Sequence, residues 1–181
     1  MIQKITTVPN PLLRQKSKKV AKVDKKIQKV ITDLLETVKN ASEPTGLGLS
    51  AVQIGQPMRI FVAKTKNNFE VFINPQIVFA SKETLKKVLK KEQRFFEGCL
   101  SVPQVYGFVD RPYQIKLEWL DEKGRKHSRQ FTNRNSVCLQ HEFDHLEGIL
   151  FIDRILQQKG KVYQLEKDSK GKEVFEEVEL L

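Results

Sequence analysis

The chain has 181 residues, with 32 Lys+Arg against 22 Asp+Glu and a formal net charge of +10. That length suits one domain with a core of its own, and a hydrophobic fraction of 39% is globular rather than disordered. Two Cys exclude a disulfide-dense secreted scaffold, and no apolar run approaches the roughly 20 residues of a membrane span. The opening MIQKITTVPNPLL lacks a signal-peptide core and is poor in Arg and Ser, so a reducing, cytoplasmic setting with no membrane partner is expected.

Pro9 and Pro11 keep the start extended. Residues 25–41 predict an amphipathic helix, with Ile27, Val30, Ile31, Leu34, Leu35 and Val38 on one stripe. Residues 42–48 read as a loop. The strip from Gly46 to Gly55 matches G-x-G-x-x-A, but a dinucleotide site needs a strand just before it, and a loop stands there. No G-K-[ST] follows, so a Walker loop is excluded too. The strip reads instead as two glycines that permit close approach, then the Gln53 amide aimed at something polar.

Residues 58–64 and 69–79 predict strands. Residues 82–93 carry Leu85, Val88 and Leu89 at helical spacing, predicting a short exposed helix. Residues 106–120 and 125–131 predict a hairpin turning at Asp121–Gly124. Residues 134–147 predict a helix capped by Asn133 and stopped by Gly148. The tail, 155–181, is expected to form a second hairpin around Asp168–Gly171. Strands before and after an isolated central helix give an α+β class. With no repeat or long linker, residues 1–181 are expected to be a single domain.

The charge is concentrated. Residues 14–29 hold eight Lys/Arg and one acid, residues 82–94 hold six and two, and the rest is near neutral. Such clusters suit solvated helix faces or docking to RNA-rich surroundings. No signature for sequence-specific nucleic-acid readout accompanies them.

The chain has three His, and two fall in His141-Glu142-Phe143-Asp144-His145, an H-E-x-x-H pattern. On a helix the two imidazoles share a face and can bind one metal, with Glu142 placed as general base. At about 100° per residue, His141, His145 and Cys138 fall within about 60°, with Glu142 beside them. Leu139, Phe143 and Leu146 form a separate apolar stripe, while Asp144 and Glu147 point elsewhere. A catalytic divalent site commonly has three protein ligands. The third is Cys138, one turn before His141, or Cys99, in Glu97-Gly98-Cys99-Leu100-Ser101, and spacing leaves both open.

Three segments together, Gly46-Leu47-Gly48-Leu49-Ser50-Ala51-Val52-Gln53, Glu97–Ser101 and Gln140–His145, resemble the peptide deformylases over about residues 1–155. The resemblance implies mixed or antiparallel β-sheets around a central metal-binding helix, plus an N-terminal helix. It implies a single catalytic domain holding one divalent metal, Fe(II) foremost, with Zn, Ni or Co able to substitute. The ligands would be Cys99, His141, His145 and a water. The implied reaction removes the N-formyl group from N-formylmethionine of newly made polypeptides and releases formate. Glu142 would move the protons, and the Gln53 amide and Leu100 N–H would meet the oxyanion. Leu47, Gly48, Glu97, Gly98, Val137 and Cys138 would bind the substrate, and the ribosome, source of such chains, is a further implied partner.

Departures from the family pattern are visible. The basic stretch Lys82–Phe96 looks inserted, and Thr132–Cys138 is more polar than usual, with Arg134 expected to face the pocket. The acidic ending EVFEEVELL does not suit docking through a basic C-terminal helix. Two other classes fit parts of the sequence. A zinc endopeptidase built on H-E-x-x-H would not need Cys99, and a non-enzymatic basic RNA-binding module would show salt-dependent binding and no stoichiometric metal.

Overall fold

The computed structural model describes residues 1–41, 45–167 and 171–178. It is an α+β fold. In chain order the elements are α1 (Lys25–Asn40), β1 (Gly48–Ser50), β2 (Ile60–Thr65), β3 (Asn68–Ala80), α2 (Leu85–Val88), β4 (Glu97–Cys99), β5 (Val102–Gly107), β6 (Gln114–Leu120), β7 (Lys126–Thr132), α3 (Asn133–Leu146), α4 (Phe151–Gln157), β8 (Val162–Lys167) and β9 (Glu173–Val178). One antiparallel sheet runs β1-β2-β3-β6-β7 and the other β4-β5-β8-β9. Among the described residues β1 and β4 are therefore edge strands, each unpaired on one side.

The five-stranded sheet is covered on both faces. α1 starts where the Asp24 carboxylate accepts the Ile27 N–H at 3.0 Å. Its stripe Ile27, Val30, Ile31, Leu34 and Val38 packs with Ile60, Val62 and Ile73. Phe61 and Ala63 point to the opposite face, where they meet Phe72, Ile115, Leu117 and, from α3, Leu139 and Leu146. Successive residues of β2 thus enter two different cores, which is why Ile60–Ala63 is a continuous apolar run rather than an alternating one. A third cluster, Leu13, Val102, Leu150, Phe151, Ile155 and Val162, joins α4 and the N-terminal segment to the four-stranded sheet and encloses Cys99.

Several expectations need correction. Only Leu85–Val88 of the 82–93 segment is helical, followed by a turn at Lys91–Gln93. Leu85 is held by the Arg111 carbonyl, and Asp110 takes the Lys86 N–H and the Thr84 hydroxyl. Long-range bonds therefore fix one turn and no more. The long first hairpin arm, 106–120, divides: β5 belongs to the second sheet, and β6 starts only at Gln114. The turn after β6 lies where expected, with Gly124 at φ +75 and Asp121 accepting the Lys123 and Arg125 N–H groups. Asn133 does not cap α3. It is the first helical residue, at φ +54, and Thr132 stands at the cap position without a side-chain bond.

Gly148 does end α3, in the left-handed region at φ +74, where the Arg14 carbonyl fills the space a Cβ would take. The sequence reading assigned no element to α4. In the tail, β8 and β9 pair from Val162↔Val178 to Lys167↔Glu173, and residues 168–170 of the expected turn lie outside the described residues. Within the expected loop 42–48, residues 42–44 also lie outside them, and Gly48 opens β1. Among the described residues, no helix is long and apolar enough to cross a membrane.

Candidate metal centre and active site

A cavity of about 380 Å³ is bounded by the edge strands β1 and β4 and by one face of α3. Leu47, Gly48, Gln53, Glu97, Gly98, Cys99, Leu100, Val137, Cys138, His141 and Glu142 line it. These are all the residues expected to bind metal or substrate or to act in catalysis except His145, which is buried with 1% exposure. Phe95, Phe96, Tyr106 and Arg134 also line the cavity, and the Arg134 guanidinium sits over the Phe95 ring at 5.7 Å.

Cys99, at the end of β4, meets the two α3 histidines across the sheet–helix gap. The ligand atoms of Cys99, His141 and His145 all lie within 4.8 Å of one another, and Cys99 Sγ is 3.3 Å from His145 Nε2. His141 Nδ1 is 2.8 Å from Glu97 Oε2, which leaves Nε2 as its ligating atom. The Ser101 N–H (3.4 Å) and Gln53 Nε2 (3.7 Å) both donate to the Cys99 sulfur. Burial works against protonation of His141, yet Cys99 and Glu97 overcome it and hold the imidazole well above its ordinary value. The surroundings therefore favour positive charge beside the sulfur. His145 is held well below its ordinary value by burial and by the His141 charge, so it stays a neutral donor. A thiolate and two imidazoles of this kind fit one metal ion, iron and zinc alike. Cys138, the alternative ligand, is outside the cluster, with its thiol on the Leu47 carbonyl at 3.6 Å.

Glu142 stands one residue from His141 on the cavity side. Burial pushes its carboxyl up to about 7, with the His141 charge and the Ser50 hydroxyl opposing. Ser50 Oγ donates to Glu142 Oε2 at 2.7 Å. Gly48 is needed here because a Cβ on it would run into this carboxylate. What the glycine strip lets approach is thus the glutamate of the H-E-x-x-H pattern. Gly46 does the same for the Val38 carbonyl of α1. Gly48→Ala is expected to displace Glu142 and lower kcat by about 10²-fold, with the unfolding midpoint little changed. Steady-state kinetics paired with thermal melting checks this.

Gln53 is fixed at both ends, its Oε1 accepting the Ser50 N–H at 2.8 Å and its Nε2 donating to Ser101 Oγ at 3.0 Å. The amide therefore lies between the glycine strip and the Glu97–Ser101 segment, next to the Cys99 sulfur. Gly98 is required by a different neighbour, since a Cβ there would enter the Tyr106 ring.

The sequence reading missed a buried ion-pair chain behind the ligands. Arg111 donates to Glu97 Oε1 and Oε2 at 2.6 and 2.9 Å and to Asp144 Oδ2 at 2.8 Å. Arg154 closes on Asp144 at 2.6 Å. Burial alone would raise the Glu97 carboxyl, but Arg111 and the His141 bond outweigh it and hold the group down to about 2. Glu97 thus lines the pocket while its carboxylate is bonded to Arg111 and to the His141 ring. Asp144 anchors Arg111. Nothing in Asp110-Arg111-Pro112 distinguishes Arg111 by pattern, because its partners lie 14 and 33 residues away.

Comparison with known proteins agrees with this geometry. The family model described as Polypeptide deformylase matches residues 2–161. The chain belongs to that family. It is 38% identical over 177 residues to the peptide deformylase of Phenylobacterium zucineum, covering 94% of this chain and 98% of that one. It is 40% identical over 163 residues to that of Rhizobium meliloti, covering 87% of each. The peptide deformylase of Thermotoga maritima superposes with a TM-score of 0.75 at 32% identity, over 85% of this chain and 97% of that one. The Synechococcus elongatus peptide deformylase, in complex with actinonin, gives 0.74 at 32% identity over 84% and 78%. As a deformylase-family chain, it carries Arg134 and the Phe95–Phe96 pair on the cavity wall, and β8 and β9 lie beyond the residues that the family model matches.

Proposed function

We propose that the protein removes the N-formyl group of formyl-methionyl peptides by metal-dependent hydrolysis and releases formate. The observation that carries this reading is the Cys99–His141–His145 donor cluster with the Glu142 carboxylate beside it, in a chain of the polypeptide deformylase family. Cys99, His141 and His145 would hold a divalent ion, which would supply Lewis acidity and make water a nucleophile near neutral pH. Fe(II) is the proposed native ion, with Zn, Ni and Co as substitutes.

The remaining steps belong to the chain. Glu142 takes a proton from the attacking water and passes it to the amine as the formyl C–N bond breaks. A carboxyl near 7 can both accept and return that proton close to neutral pH. The Gln53 amide and the Leu100 N–H stabilise the oxyanion. The peptide lies extended beside the β1 and β4 edges, at Gly48 and Gly98, as an added strand. Leu47, Val137, Cys138 and the stem of Glu97 surround the methionine side chain, with Arg134 offering a cation at the rim. Actinonin, bound in the Synechococcus structure, is assigned to the same cavity. The substrate class sets the place of action beside the ribosome in the cytoplasm, where the exposed basic run Arg14–Lys29 faces anionic surroundings.

Neither the endopeptidase nor the RNA-binding alternative gains support from the site or the relatives. Cys99→Ser separates the enzyme readings. It is expected to weaken metal binding at least about tenfold and to abolish formate release. Retained metal together with cleavage of an internal peptide bond would favour the endopeptidase.

A further inference from the structure

The second sheet continues past its pocket edge into β8 and β9, and its register builds an aromatic face. Gly98 pairs with Tyr106, and Tyr106 with Tyr163, so the three form one row across β4, β5 and β8. Paired residues of neighbouring antiparallel strands share a face, and residues two apart along a strand share it as well. Phe96, two residues before Gly98, sits over that row. Its ring stacks on Tyr163 at 4.9 Å and meets Phe175 of β9 edge-on at 5.7 Å. Phe175 in turn meets Tyr106 edge-on at 5.3 Å. Gly98 leaves room for the Tyr106 ring to lie across the strand.

The four rings divide by location. Phe96 and Tyr106 line the cavity, whereas Tyr163 and Phe175 stand behind them on the terminal hairpin. Phe96 is 43% exposed and follows a stretch of short turns, and its ring is held between those of Tyr163 and Phe175. Ring pairs in stacked and edge-on geometry are attractive beyond the area they bury. We infer that the C-terminal hairpin is a positioning element of the substrate pocket: Tyr163 and Phe175 hold Phe96 and Tyr106 as the wall against which the bound peptide lies. The inference rests on the reading of the cavity as a peptide site. It gives the tail beyond residue 161, where the family model ends, a part in substrate binding.

The test is Phe175→Ala in the full chain. Phe175 is half-exposed on an outer strand, outside all three cores, so the fold is expected to survive. KM for formyl-Met-Ala-Ser should rise about three- to tenfold, as expected for lost ring contacts, with kcat within about twofold. The dissociation constant of actinonin, by calorimetry, should rise by a similar factor. Phe175→Tyr, which keeps the ring, should restore both. A Phe175→Ala protein with a lower melting temperature but unchanged KM and actinonin affinity would show that the cluster only tethers the hairpin, and would overturn the inference. A wild type that hydrolyses no formyl peptide, yet binds actinonin more tightly than Phe175→Ala, would remove the deformylase reading and leave this one standing. A wild type that does neither would overturn both.

Discussion

Glu142→Gln is expected to lower kcat on a formyl-methionyl peptide by about 10²- to 10⁴-fold, the range for loss of a general acid–base group. Metal should remain bound at its wild-type stoichiometry. The substitution keeps volume and shape beside Gly48 and preserves an oxygen for the Ser50 hydroxyl, so it removes proton transfer and little else. Glu142 is not in the donor cluster, which is why metal and turnover should separate. Steady-state kinetics with metal analysis of the same sample decides the matter. Full activity in the variant would remove Glu142 from the mechanism.

The second large effect is expected at Arg111, which touches neither cavity nor metal ligand. Arg111→Leu should destabilise the protein by about 3–5 kcal/mol, the cost of leaving a buried charge without its partner. Two carboxylates, Glu97 and Asp144, lose their shared cation at once, although Arg154 still holds Asp144. The damage should extend to the metal. Glu97 fixes the His141 ring through Nδ1, and disturbing such an outer partner lowers metal affinity about 10- to 100-fold. Adding Glu97→Gln to Arg111→Leu removes the stranded charge and should return part of the stability, but not the metal affinity.

The same ion pair has a pH signature. The folded pKa of Glu97, about 2, lies below its ordinary 4.5. Its contribution is therefore complete above about pH 4.5 and is lost as the pH falls towards 2. In Arg111→Leu that acid-side loss should flatten. Urea midpoints of both proteins across this window would check it.

What the sequence discloses follows from the range of the interactions. The i, i+4 spacing of His141 and His145 is local, so their common face and the opposing Leu139–Leu146 stripe are readable from helical geometry alone. The apolar run Ile60–Ala63 is equally local, and its continuity marks a strand buried on both sides. The choice between Cys99 and Cys138 is not local. Cys99 lies 46 residues from His145, and only the meeting of β4 with α3 brings it into the cluster. Family resemblance could point to Cys99, whereas helical spacing could not.

The Arg111 chain and the Phe96–Tyr163–Phe175 cluster are hidden for the same reason. Each depends on which strands become neighbours. The expected single arm 106–120 failed at that level too. Its residues favour strand throughout, but Gly107 pairs with Glu97 and Val162 in one sheet while Gln114 pairs with Thr132 in the other. Propensity describes a segment, and sheet membership is decided by partners elsewhere in the chain.

The most direct test of the central claim is a stoichiometric one. Protein prepared without oxygen and loaded with Fe(II) is given formyl-Met-Ala-Ser, and formate and free amino groups are measured together. One formate per new amine is expected, at a rate lost on chelation and restored by added Fe(II). No formate from protein that holds one iron per chain would contradict the account, as would amines appearing without formate.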